Sequence, residues 1–188
     1  MKIGARSRLA TVAIAVGDAL RRHGIQAVLT GGACASLHSR GSYVSRDMDF
    51  IVTAAATQVA LDRAMGSLGY RRRGDRYVHA EVPFYVEFPR GPLAIGGDHE
   101  IKPVMSSSAA GRALTLSATD SCRDRLAAFY HWNDRQSLDV AVQVACRSRV
   151  ALASIQRWSA REGFADRFNE FTAELARRRR RMSRYRRR

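Results

Sequence analysis

Apolar residues recur at helical spacing from Ser7 to His23, at Leu9, Val12, Ala13, Val16, Ala19 and Leu20. Arg21, Arg22 and His23 fall in the last turn, and Gly24 is placed to end it. Ile25–Thr30 is a short apolar run that fits a buried strand, and Gly31-Gly32 breaks it. Ala33–His38 reads as the first turns of a helix whose small residues allow close packing, and Arg40–Ser45, polar and holding Gly41, reads as a loop. Arg46–Val52 alternates as a strand does, with Asp47, Asp49 and Ile51 on one face and Met48, Phe50 and Val52 on the other. A helix opening at Thr53 or Ala54 and running to about Leu68 follows, with Val59, Leu61, Met65 and Leu68 apolar and Gly69 closing it. Tyr70–Arg73 and Arg76–His79 flank Gly74-Asp75 as a hairpin does. Pro83–Phe88 is a further strand-like run, carrying Glu87 between Val86 and Phe88.

After a loop over Pro89–Gly97, the pattern predicts short strands at Ile101–Met105 and Arg112–Leu116, joined by the small-residue link Ser106–Gly111. From Ser117 the character turns helical. Thr119 or Asp120 is the expected N-cap of Ser121–Trp132, and further helices are predicted over Arg135–Arg147, Val150–Glu162 and Ala165–Arg181. The expected fold is α+β: a small mixed sheet flanked by helices over residues 1–116, a helical part over 117–176 and an arginine-rich tail over 177–188.

Composition adds further constraints. At 188 residues and 46% hydrophobic content the chain can bury one real core. A net charge of +15 points to an anionic partner such as RNA, although only Lys2 and Lys102 are lysines, an arginine bias that discounts the signal. Nine arginines lie in Arg177–Arg188 without an acidic residue, so that segment reads equally as a solvated tail or as an arm gripping RNA phosphates with a steep salt dependence. Cys34, Cys122 and Cys146 are too scattered for a zinc site or disulfide framework, and buried free thiols in a reducing cytoplasm are expected. Lys2, Arg6 and Arg8 before Leu9–Val16 give a weak resemblance to a signal peptide, which the charged continuation at Asp18, Arg21 and Arg22 opposes. No stretch is long enough to span a membrane.

The chemistry concentrates in Leu29–Val52. Two carboxylates on one strand face are a natural clamp for a hard divalent cation, because magnesium takes oxygen ligands and keeps places for water and phosphate. Asp47 and Asp49 are set among Met48, Phe50, Ile51 and Val52, where unpaired like charges are costly unless a cation resolves them. Glu87 repeats the arrangement on another strand, its alternative being a salt bridge to an arginine. Gly31-Gly32 lets backbone amides approach a phosphate, with a helix start behind them, its alternative being a plain tight turn. His131-Trp132, after Phe129 and Tyr130, is expected to pack in the core, with base stacking as the other use.

Gly31-Gly32, Ser45-Arg46-Asp47-Met48-Asp49-Phe50 and Glu87 together resemble the signature of the DNA polymerase beta nucleotidyltransferase superfamily, a glycine pair followed by a D-x-D strand and a third acidic strand residue. The run T-G-G-A-C-A-S-L with S-R-D-M-D-F is most similar to stand-alone nucleotidyltransferases that include toxins of abortive-infection toxin–antitoxin systems. Arg123-Asp124-Arg125-Leu126-Ala127-Ala128 and Asn133-Asp134-Arg135 resemble that group's downstream blocks, with Arg125 where the group has lysine and Asp134 where it has a later aspartate. The resemblance implies Asp47, Asp49 and Glu87 as magnesium ligands and catalytic groups. Gly31, Gly32, Arg46 and Arg125 would hold the phosphates of a nucleoside triphosphate (NTP), and Asp134 would play a supporting part. The implied reaction transfers a nucleoside monophosphate (NMP) from the NTP to a hydroxyl on RNA, such as tRNA, or on a protein, with an antitoxin protein as a further partner. The alternative is a binding module that keeps the fold without the chemistry.

Overall fold

The computed structural model describes residues 3–186. Its centre is a mixed seven-stranded sheet in the order β3-β4-β5-β2-β1-β7-β6, built from β1 (Ala27–Leu29), β2 (Asp47–Val52), β3 (Arg71–Arg73), β4 (Arg76–Val78), β5 (Tyr85–Glu87), β6 (Val104–Ser108) and β7 (Gly111–Thr115). β2 lies between β1, to which it runs antiparallel, and β5, to which it runs parallel. The helices are α1 (Leu9–Arg22), α2 (Gly31–His38), α3 (Gln58–Gly66), α4 (Ala118–Trp132), α5 (Arg135–Arg147), α6 (Leu152–Arg161) and α7 (Ala165–Arg186). The fold is the expected α+β arrangement, a mixed sheet with a helical C-terminal half.

The alternation in β2 sorts its side chains as the sequence predicts. Met48 and Phe50 are fully buried, while Asp47 and Asp49 are half-buried on the other face. The apolar face of the sheet meets α1, where Gly17 is required: a Cβ there would overlap Ala113 of β7 and touch the Phe50 ring. One buried cluster continues from this layer into α4, α5 and α7 through Leu126, Phe129, Leu138 and Phe171. Cys34, Cys122 and Cys146 are free thiols, the first two buried. Among the described residues, no helix is long and apolar enough to cross a membrane.

Several boundaries differ from the pattern, each for a local reason. α3 starts at Gln58 because Thr57 caps it, its hydroxyl accepting the Ala60 amide at 3.2 Å, and Val59 is left exposed rather than buried. The serines after Met105 extend β6, so that only Ala109 and Ala110 turn the chain into β7. An edge strand has one open side and needs no apolar alternation. α4 starts at Ala118 with Ser117 as its cap, accepting the Asp120 amide at 3.1 Å, while Asp120 itself sits in the first turn. Ser117→Ala is therefore expected to cost about 1 kcal/mol, read as a fall of roughly 2–4 °C in Tm. α6 is shorter than predicted at both ends.

The arginine-rich segment is helical through Arg186 and is used in packing: Arg178 pairs with Asp139, and Arg179 Nη2 donates to the Ala145 carbonyl of α5 at 3.0 Å. Arg187 and Arg188 lie outside the described residues. Trp132 is 78% exposed, so of the aromatic helix end only Phe129 and Tyr130 enter the core.

Arg123 ties the loop after β5 to the helical half. Its guanidinium is buried, pairs with Asp98 and with Asp120, and lies 4.9 Å from the centre of the Trp158 ring. The loop beside the candidate site is thereby anchored to α4.

Candidate active site

Asp49 is the focus. It projects from the middle strand of the sheet toward the start of α2, where Thr30 donates its amide to the Asp49 carbonyl at 2.9 Å. Gly31 follows with φ +64, a left-handed conformation that side chains resist, and a Cβ there would overlap Asp49 Oδ2. No other residue fits so close to the carboxylate. Thr30 is the N-cap position but makes no side-chain cap, so the first amides of α2 have no intrahelical or capping acceptor. A helix start in that state favours an anion.

Asp49, Gly31 and Arg125 line one cleft together with Thr30, Asp124 and Leu93. Arg125 comes from α4, and Asp124 Oδ2 accepts from its Nε at 3.0 Å and its Nη2 at 2.8 Å. Burial works against the Arg125 charge, yet Asp124 beside it and Asp49 across the cleft raise its pKa above the ordinary value. It is a fixed cation. It is also paired internally with Asp124, so it is aimed rather than free to wander.

Asp47 and Glu87 flank this cleft on the same sheet face. Parallel pairing of β2 with β5 sets Asp47 opposite Tyr85 and Asp49 opposite Glu87, and directly opposed residues share a face. The Ser45 hydroxyl donates to Asp47 Oδ1. Glu87 makes no ion pair with an arginine among the described residues. Burial, then the neighbouring carboxylates of Asp47 and Glu87, push the Asp49 carboxyl up to about 6, against the opposing pull of Arg125. Tyr85 feels the same field, its phenol raised first by burial and then by Asp47 and Glu87.

The carboxylates offer only oxygen donors, the kind magnesium takes. Among the described residues no three of His, Cys, Asp and Glu stand close enough together to hold a metal ion. Asp49 and either neighbour, side by side on one sheet face, would offer magnesium a pair of hard oxygens while phosphates and water supply its other ligands. Like charges crowded beside a half-buried carboxylate are the arrangement that a cation relieves.

The remaining predicted residues are placed differently. Gly32 does not line the cleft; a Cβ there would stand 2.7 Å from Ser45 Oγ and 3.1 Å from the Tyr43 hydroxyl, so it seats α2 against the approach to β2. Arg46 is exposed and lies just before β2, not on it. Asp134 caps α5, accepting the Gln136 and Ser137 amides at 3.0 and 3.2 Å and the Ser137 hydroxyl at 2.6 Å. Those bonds, the Ser137 hydroxyl first, hold its carboxyl below the usual range despite partial burial, with a smaller pull from Arg125. Ser45, Tyr85 and Asp124 have no role in the sequence pattern, although Ser45 and Asp124 fall inside its motifs. Tyr85 stands two residues before Glu87 on β5, the spacing that places it on the same face, Ser45 reaches Asp47 from the segment before β2, and Asp124 adjoins Arg125.

No family model matches the chain, and no curated protein sequence matches it.

Proposed function

We propose that the protein is a magnesium-dependent nucleotidyltransferase that moves an NMP from an NTP to an acceptor hydroxyl. The observation that carries this reading is the position of Asp49, crowded by Asp47 and Glu87 and facing an uncapped helix start at Gly31 with Arg125 across the cleft. One flank of Asp49 thus suits phosphate and the other holds carboxylates.

The α2 amides and Arg125 would bind and orient the triphosphate. Asp49 with Asp47 or Glu87 would hold magnesium, which supplies charge neutralisation on the phosphates and polarises the attacking oxygen. The acceptor oxygen attacks the α-phosphorus, a new P–O bond forms, and the bond from the α-phosphorus to the α–β bridging oxygen breaks. Pyrophosphate leaves with that electron pair, and the hydroxyl proton passes to a site carboxylate or to water. Positioning and electrostatics account for such a reaction without a covalent enzyme intermediate.

Isothermal titration separates this reading from a binding module without chemistry. Magnesium and NTP are expected to bind together, each tightening the other, and Asp49→Asn is expected to remove that coupling. Affinity for NTP that ignores magnesium would count against the transferase. Arg125→Ala is expected to raise the Kd for magnesium–NTP about 10–100-fold, the worth of charge-assisted hydrogen bonds to phosphate, with Arg125→Lys losing less. Unchanged affinity in both variants would remove Arg125 from the phosphate site.

A further inference from the structure

A row of directly opposed residues crosses four strands. Arg73 of β3 faces Arg76 of β4, Arg76 faces Glu87 of β5, and Glu87 faces Asp49 of β2. Cross-strand partners share a face, so both arginines lie on the face of the carboxylates. Arg71, two residues before Arg73, lies on it as well. At the usual strand spacing, Arg76 stands about 10 Å and Arg73 about 15 Å from Asp49. Arg71, Arg73 and Arg76 are all exposed, and among the described residues none has an acidic partner.

Two like charges directly opposed across a strand pair cost stability, which makes Arg73 opposite Arg76 an arrangement that needs a reason. Charge on an edge strand can deter pairing with other chains. That accounts for β3, but β4 is an interior strand covered by β3. Arg76 is also oriented: its guanidinium lies 5.0 Å from the centre of the Tyr85 ring, and Tyr85 faces Asp47 in register. The start of α2, by contrast, follows β1 on the opposite flank of β2. The carboxylates therefore stand between two cationic flanks. One is a small cleft; the other is an exposed row of arginines.

We propose that Arg73 and Arg76, extended by Arg71, bind the backbone phosphates of a nucleic-acid acceptor strand and lead its terminal hydroxyl to Glu87 and Asp49. This rests on the transferase reading and names its acceptor class. The transfer adds the NMP to that hydroxyl and releases pyrophosphate as written above, so no further reactant is needed. Guanidinium groups match phosphate oxygens in pairs, and a row of them running away from the reacting centre suits a polyanion better than a single anionic side chain on a protein.

The test is fluorescence anisotropy of the full chain with short labelled single strands of RNA and DNA of one sequence, read from ~50 to ~200 mM salt. Arg73→Ala/Arg76→Ala is expected to weaken binding at least about tenfold. The slope of log affinity against log salt should fall in magnitude by about 1.4, two single-strand phosphate contacts. Arg73→Lys/Arg76→Lys should retain most of the binding, and the alanine variant should melt no lower than wild type, since it relieves a repulsion. Comparing the RNA and DNA arms tells which sugar the strand carries. Unchanged affinity and slope in the alanine variant would overturn the proposal. So would an acidic peptide of equal charge that binds through Arg73 and Arg76 while both oligonucleotides do not, which would favour a protein acceptor. Magnesium–NTP titration keeps the two readings apart: it should be unaltered in the alanine variant. Wild-type protein that binds strands through these arginines but ignores magnesium–NTP would contradict the transferase reading and leave the strand surface standing.

Discussion

Asp49→Asn is expected to lower nucleotidyl transfer by about 10³-fold or more, the loss of several kcal/mol of metal-assisted stabilisation at about 1.4 kcal/mol per factor of ten, while making the folded protein more stable. The two effects share one cause. The Asp49 carboxyl titrates near 6 in the fold against an ordinary 3.8, so the folded state holds its proton more tightly than the unfolded state does. Its contribution is therefore unfavourable above about pH 6, shrinks as pH falls from 6 toward 4, and vanishes below that. The full penalty corresponds to about 3 kcal/mol, and for a half-buried group solvent screening reduces it to about 1–2 kcal/mol. In the absence of magnesium the variant should melt roughly 3–6 °C above wild type at pH 7.5, and the two curves should meet near pH 4. Magnesium with NTP should raise the wild-type Tm and leave the variant almost unmoved. Equal melting of the two proteins at pH 7.5 would show that Asp49 is not held under repulsion.

Gly31→Ala carries the second large effect. Its φ of +64 costs an L-residue about 1–2 kcal/mol, and the added Cβ would overlap Asp49 Oδ2, so either the start of α2 or the carboxylate must move. A fall of roughly 4–10 °C in Tm is expected, together with loss of magnesium–NTP binding. Gly41→Ala is the matched control. It has φ +75 but nothing within 4 Å of a new Cβ, so it should show the strain without the binding defect. If both variants melted alike and both bound nucleotide normally, Gly31 would be a turn residue and no more.

The sheet and most helices were legible because their signals are local. Leu9, Val12 and Val16 mark α1 by spacing, Met48 and Phe50 mark the buried face of β2, and Gly74-Asp75 marks the hairpin. The start of α4 was placed late because Ser117 competes with Thr119 and Asp120 as a cap, and only the backbone decides which hydroxyl reaches an amide. Trp132 was expected inside because its neighbours Phe129 and Tyr130 are; its helix turns it outward. At the site, two residues apart on a strand sufficed to put Asp47 and Asp49 on one face. That Glu87 stands beside them depends on parallel pairing of β2 with β5, a long-range contact that spacing does not encode. The same holds for Arg125, which reaches Asp49 only through packing of α4 near α2, and for the row from Arg73 to Asp49, which exists only as strand register. Asp134, expected as a supporting acid at the site, bonds Gln136 and Ser137 as the cap of α5.

Nucleotidyl transfer can be measured directly. The full chain would be incubated with each α-labelled NTP, total RNA and cell lysate, with and without magnesium. Label is expected on a macromolecule in the presence of magnesium with one or more of the nucleotides, pyrophosphate released in step, and neither with Asp47→Ala, Asp49→Ala or Glu87→Ala. Labelling by those variants at the wild-type rate, or no labelling by wild type with any nucleotide, would contradict the transferase reading.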